Sequence, residues 1–120
     1  MGVSFNGIGQ MAVTFETAAN VEDGYPVKMS ANGKVESCSA GDRFCGIALF
    51  TAGDGYGTIQ LKGYVKAEYT GTAPTIGYGH LTAAASGKVQ TDSGTDDGYT
   101  GGEYLITDVN TTDKTVGFII

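Results

Sequence analysis

The sequence predicts an all-β protein, a small barrel or a tandem-barrel sandwich built from two related four-stranded halves. Three observations predict this class. The 120 residues include 20 glycines, seven tyrosines and only two prolines, a composition typical of short strands joined by tight turns. Apolar runs of strand length alternate with glycine- and asparagine-rich turns. The order of these runs in the first half of the chain recurs in the second, and the length is enough for one domain with a buried core.

We predict that residues 1–20 form an N-terminal arm with one candidate strand. Met11, Val13 and Phe15 are apolar and alternate with smaller or polar residues, which is the period of a strand with one buried face. The glycine-rich residues before them have the weak patterning of a terminal segment. A disordered tail and an arm that docks on a partner both fit this pattern. For the docking arm, the candidate contact residues are Val3, Phe5, Met11, Val13 and Phe15.

We predict that residues 21–120 form a single β domain made of two units. Residues 21–70 form the first of these units. Asn32-Gly33 lies between two β-prone runs, a pattern that favours a hairpin with a type I′ turn, in which both central residues have positive φ. Residues 27–30 should therefore pair with residues 34–37.

The central hairpin of this domain is predicted over residues 43–61. Two apolar runs flank a loop containing Gly53, Gly55 and Gly57, residues that adopt positive φ without steric cost. After it, the alternation of residues 61–69 breaks at Gly63. Such a break predicts a β-bulge, or a bend that lets one strand serve two sheets.

The second unit is predicted over residues 75–120. Strands over residues 76–82 and 88–91 should meet at a turn at Ser86-Gly87, and a final hairpin should join residues 103–109 to residues 115–119. Between these pairs, residues 92–102 form a polar loop. Loops of this length and hydrophilicity lie at the surface and are often functional.

The two units are related in sequence. Residues 27–37 match residues 79–91 with two residues inserted, residues 44–49 match 104–109, and residues 58–61 match 115–118. A unit of this size is too small to bury a core alone. We therefore expect an internal duplication in which the two units share one core, with the chain crossing between them at Gly63.

Charge and hydropathy argue against two classes of partner. The net charge is −6 and the basic residues are spread along the sequence, so a nucleic-acid partner is not expected. No run approaches the roughly 20 apolar residues of a membrane helix, and the N-terminus lacks the pattern of a secretory signal. We expect the chain to be made in the cytoplasm of its host.

The sequence also predicts no enzyme activity, cofactor or metal. His80 is the single histidine and is expected on the surface side of a strand, opposite Leu81. Cys38 and Cys45 lack a metal-ligand spacing; we expect Cys45 to be a small core residue and no disulfide between the two. Residues 92–97 could offer oxygens to Ca²⁺, but they lack the ligand spacing of an EF-hand loop.

Several strand motifs in this order resemble a family of small bacteriophage capsid decoration (head cement) proteins. The landmarks are the strand Gly46-Ile47-Ala48-Leu49, the strand at residues 57–63 and the two Gly-Lys-Val turns at residues 33–35 and 87–89. The resemblance spans roughly residues 21–120. It departs from the family pattern at residues 105–109 and in the longer N-terminus, which leaves the partner surface open.

The resemblance implies a non-enzymatic structural protein of a phage or prophage. Such a protein binds and stabilises the outer surface of the assembled capsid, and its partner is the major capsid protein. It also implies a location on the virion and a symmetric homo-oligomer, with a trimer as one form. An N-terminal arm could add a strand to the capsid.

A second hypothesis is a small glycan- or ligand-binding β-module of a phage fibre or tail appendage. Its stacking platforms would be Tyr56, Tyr64, Tyr69, Tyr78 and Tyr99. Tyrosine is also an ordinary strand residue that packs in cores and on sheet surfaces.

Overall fold

The computed structural model describes residues 10–120, which contain ten strands. Val3 and Phe5 lie outside these residues. The strands are β1 (Met11–Thr17), β2 (Pro26–Ala31), β3 (Lys34–Ser37), β4 (Gly46–Thr51), β5 (Tyr56–Lys62), β6 (Tyr64–Glu68), β7 (Gly77–Ala83), β8 (Val89–Thr91), β9 (Gly102–Asn110) and β10 (Thr115–Ile119). One 3₁₀ turn, Ala85–Gly87, precedes β8.

The strands form two five-stranded sheets, and the all-β prediction is confirmed. The first sheet has the order β1-β3-β2-β4-β5 and closes into a barrel, because β1 pairs antiparallel with β5 and parallel with β3. The second sheet has the order β6-β10-β9-β7-β8. The predicted number of four strands per half is wrong. Each sheet has five strands, because β1 completes the first sheet and β6 completes the second.

Corresponding strands are paired in the same order in the two sheets. Read from the other end, the second sheet is β8-β7-β9-β10-β6, which matches β3-β2-β4-β5-β1. The N–H of Ala18, just after β1, donates to Val35 O at 2.9 Å, and the N–H of Thr70, after β6, donates to Val89 O at 3.0 Å. This shared pairing is what an internal duplication would produce.

For the Asn32-Gly33 hairpin, the predicted strand pairing is confirmed but the predicted turn type is wrong. Met29 pairs with Val35, as predicted. Gly33 has a φ of 66°, but Asn32 keeps a negative φ, and the register shifts between Met29 and Ala31. This combination is a turn followed by a glycine bulge instead of a type I′ turn. The extra residue increases the twist that the barrel needs.

The other predicted hairpins are confirmed. β4 pairs antiparallel with β5, β7 with β8, and β9 with β10. The polar segment between β8 and β9 is a loop, as expected, with a bridge between Thr95 and Gly98. The predicted strand around Met11–Phe15 is β1, and it is part of the barrel.

Gly63 is the crossover between the sheets, as the break in alternation predicted. It is the one residue between β5, in the first sheet, and β6, in the second. Its φ of 100° lies in a region that only glycine adopts freely. The buried Gln60 side chain donates from Nε2 to the carbonyl oxygens of Lys62 and Tyr64, both at 2.9 Å. These bonds satisfy backbone acceptors on either side of the bend.

Among residues 10–120, two hydrophobic clusters form the core. The smaller lies inside the barrel and contains Val27, Val35 and Ile59. The larger lies between the halves: Phe44, from the loop before β4, packs among second-sheet residues. Its ring lies 5.3 Å from Tyr104 and 6.0 Å from Phe118, centroid to centroid. The halves therefore share one cluster, and the first half has a second of its own.

Replacing Phe44 tests the shared cluster. Phe44→Ala should lower the free energy of unfolding by about 3–5 kcal/mol, because it leaves a cavity against Tyr104 and Phe118. The control Phe50→Ala removes a ring that is 58% exposed and should change stability by no more than about 0.5 kcal/mol. Urea denaturation measures both. Equal effects would contradict the role of Phe44.

Replacing Gln60 tests the crossover. Gln60→Leu keeps the volume but leaves the carbonyls of Lys62 and Tyr64 without this donor, which should cost about 1–3 kcal/mol of unfolding free energy. The matched control is Gln90→Leu, since Gln90 is half-buried and makes one longer bond, 3.3 Å to Thr82 Oγ1. Thermal or urea unfolding should show the larger loss for Gln60→Leu; a larger loss for the control would refute the assignment.

Candidate functional site

The predicted contact residues on β1 are exposed at its start and packed near its end. Met11 is 52% exposed and Val13 is 38% exposed. Phe15 is half-buried and packs against the barrel cluster. Met11 and Val13 are therefore available to a partner, whereas Phe15 mainly supports the barrel.

The start of β1 is also an open strand edge. From Met11 to Phe15 the strand pairs with β5, and its pairing with β3 is confined to Glu16 and Thr17. Within residues 10–120, the first part of β1 thus has a strand neighbour on one side only. Unpaired N–H and C=O groups along such an edge can accept an additional strand. Because β1 already pairs with β5, it is not a free arm, although one edge remains available.

A cleft between the two sheets lies near the start of β1. Lys62, the register partner of Met11, lines a cavity of about 460 Å³ together with Met29 and Leu61 from the barrel and Glu103 from the second sheet. Met29 is 48% exposed. The cleft therefore contains the strand partner of Met11 and an exposed apolar side chain of its own.

Three of the seven basic side chains line this cleft: Lys28, Arg43 and Lys62. The fold thus gathers cations that are spread along the sequence. Lys28 is already paired, with its Nζ 2.7 Å from Asp42 Oδ2 and 3.8 Å from Glu36 Oε1. The hydrogen bond from Lys28 lowers the pKa of Asp42. This pairing offsets the charge of one of the three cations of the cleft.

A second exposed surface lies on the outer face of the second sheet. Tyr78 faces Leu105 across β7 and β9, Leu105 faces Ile119, and Ile119 faces Tyr64 on β6. Directly paired residues project from the same side of a sheet, so these four form one row across four strands. Tyr78, at 76% exposure, is the most exposed large side chain of the row.

The loop between β8 and β9 places another ring beside this row. Tyr99 stacks on His80, with ring centroids 3.7 Å apart and an angle of 4° between the planes. His80 lies two residues after Tyr78 on the same strand, and therefore on the same face. The predicted surface position of His80 is only partly right, because the ring is half-buried beneath Tyr99.

Asp92 organises that loop. Its carboxylate accepts hydrogen bonds from the N–H groups of Gly94 at 3.0 Å, Thr100 at 2.9 Å and Gly101 at 2.8 Å. These bonds, of which that from Gly101 has the largest effect, lower the pKa of Asp92. Among the oxygens considered as Ca²⁺ ligands, those of Asp92 are thus used by the backbone. Within residues 10–120, no group of three or more His, Cys, Asp or Glu side chains could hold a metal ion.

The five tyrosines proposed as stacking platforms do not form one surface. Tyr69 is 2% exposed and belongs to the shared core, so the prediction is wrong for that residue. Tyr56 belongs to the first sheet. Tyr64 Oη donates to Asp108 Oδ1 at 2.9 Å, and burial together with this bond raises the pKa of Tyr64 to about 12. Tyr78 and Tyr99 are exposed and line the same cavity.

The two cysteines are both free thiols. Cys45 is exposed, so its prediction as a core residue is wrong: it precedes β4 and lies at the cleft. Cys38 packs against the shared cluster, and burial raises the pKa of its thiol to about 12. A thiol with so high a pKa is a poor nucleophile at neutral pH.

Sequence reasoning missed the cleft and the Tyr99–His80 stack. Both depend on contacts between residues far apart in the chain, and no local pattern marks either.

The single helical segment in the described part of the chain, the 3₁₀ turn before β8, is too short to cross a bilayer. Comparisons with protein-family models and with curated proteins find no match to this chain.

Removing the Asp92 carboxylate should loosen the loop that carries Tyr99. In Asp92→Ala, amide hydrogen exchange of Thr100 and Gly101 at pH 7 should become faster, because their acceptor is lost. The control Asp96→Ala changes an exposed carboxylate of the same loop and should leave these amides unchanged. We call the three hydrogen bonds that Asp92 accepts from the loop backbone the Asp92 clamp. Equal protection in both variants would contradict its role.

The clamp should also depend on pH. Because the pKa of Asp92 is lowered in the folded protein from its usual 3.8, its stabilising contribution is present above that value and is lost as the pH falls through the lowered pKa. Acid titration followed by NMR should show the Thr100 and Gly101 signals shifting together in this range.

Proposed function

We propose that this protein is a non-enzymatic structural protein of a phage or prophage that binds the outer surface of the capsid and stabilises it. The observation that carries this proposal is the open edge of β1 with Met11 and Val13 exposed on it. The assignment to a capsid comes from the family resemblance of residues 21–120.

The β1 edge offers two kinds of contact to a large partner. Its unpaired backbone groups can pair with a strand of the major capsid protein. The side chains of Met11 and Val13, together with the exposed Met29, add apolar area that becomes buried on binding. Methionine side chains are flexible and adapt to a partner surface.

The duplicated architecture fits a protein whose task is mechanical. A closed barrel leaves few strand edges for unwanted pairing, so the first part of β1 stands out as an exposed edge of the first sheet. A symmetric homo-oligomer, such as a trimer, would present several copies of this edge to the capsid and raise the overall affinity through multivalency.

Cosedimentation with heads that lack the protein tests this function. The wild-type chain should sediment with expanded heads, and Met11→Asp and Val13→Asp should bind about tenfold more weakly or worse, because a charge would be placed against the apolar contact. Phe50→Asp is the matched control: Phe50 is exposed on the first sheet but lies at the far end of β4, and its replacement should leave binding unchanged.

Failure of the wild-type chain to bind heads would refute the function. Equal binding by all variants would refute the assigned surface. Native mass spectrometry of the free protein tests the oligomer, for which a multiple of the 12.3 kDa chain mass is expected.

A further inference from the structure

A notch lies at the outer edge of the second sheet, beside the row of exposed side chains. β8 pairs with β7 only from Leu81 to Ala83, and the N–H of Asp92 donates to His80 O at 2.9 Å, so residues 77–79 of β7 have a strand neighbour on one side only within the described chain. The space beyond β8 is a cavity of about 340 Å³, lined by Tyr78 and Tyr99 and by the polar residues Thr75, Thr91 and Glu103. This volume is in the range of small-ligand sites.

The Tyr99 ring is held in place before any ligand binds. One face is covered by His80, and Gly94 lies so close to the ring edge that a Cβ there would be 2.9 Å from it. Asp92 fixes both ends of the loop through three backbone N–H groups. The residue nevertheless remains 56% exposed. A ring ordered in this way loses little further entropy on binding.

Tyr78 provides a second aromatic surface close to the first in the fold. It lies two residues from His80 on one strand face, which separates their Cα atoms by about 7 Å, and Tyr99 lies over His80. Two exposed rings thus line one cavity whose other walls carry hydroxyl and carboxylate groups. Exposed aromatic groups clustered around polar ones are typical of binding sites.

We propose that this notch binds an uncharged saccharide. One face of a pyranose ring is made of C–H groups and stacks on an aromatic ring, while its hydroxyl rim requires hydrogen-bond partners such as the Glu103 carboxylate and the Thr75 and Thr91 hydroxyls. Asp96 and Asp97 are exposed on the adjoining loop, and with Glu103 they disfavour phosphates and acidic sugars.

This site is separate from Met11 and Val13, the residues changed to test the capsid contact. It is formed by the second sheet and its loop. Glu103 lines both this notch and the cleft that contains Met29, and none of the test variants changes it. Binding of heads and binding of saccharides can therefore be lost independently, and failure of one leaves the other standing.

A printed array of neutral and acidic glycans tests the site. The wild-type chain should bind neutral glycans in preference to sialylated or sulfated ones. Titration calorimetry with a bound neutral glycan should show about tenfold weaker binding for Tyr78→Ala and for Tyr99→Ala, because each removes one stacking surface. The matched control Tyr56→Ala removes a ring that is 53% exposed on the other sheet and should leave the affinity unchanged.

A positioning role for His80 gives a second readout. His80→Ala should weaken binding because Tyr99 loses its support, and His80→Phe should restore it, because a flat ring can occupy the same place. The assignment is overturned if no neutral glycan binds above the signal of the Tyr78→Ala/Tyr99→Ala double variant, or if binding survives in that variant. Far-UV circular dichroism verifies that all variants keep the fold.

Discussion

The bend at Gly63 fixes the relation between the two halves. One residue separates the last strand of the barrel from the first strand of the second sheet, and its φ of 100° turns the chain sharply. Gln60 satisfies the carbonyls on both sides of the bend, and Ile120 donates its N–H to Gly63 O at 2.9 Å. Hydrogen bonds therefore link Ile120, the crossover residue Gly63 and the buried side-chain amide of Gln60 at one junction.

This geometry creates both the shared core and the surfaces outside it. With the sheets fixed, Phe44 of the first half reaches Tyr104 and Phe118 of the second, so neither half completes its packing alone. The same arrangement leaves a cleft between the sheets. The proposed capsid contact lies on β1, where Met11 pairs with the cleft residue Lys62, and the aromatic notch lies at the edge of the other sheet.

The two halves share a strand order and differ where function is proposed. In the first half, β1 runs beyond its partner β3 and leaves an edge open. In the second half, a longer loop follows β8, and its Asp92 clamp places Tyr99 on His80. Common pairing thus provides the scaffold, and the changes in strand length and loop length provide distinct surfaces.

The sequence by itself determined the fold class, nearly all the strands and the position of the crossover, because strand periodicity, turn residues and a glycine break are local signals. It did not determine the bulge after Asn32, the burial of Tyr69 or the exposure of Cys45. Strand alternation specifies which residues share a face but not which face is covered. Only the tertiary structure decided that, because burial depends on how the second sheet packs against the barrel.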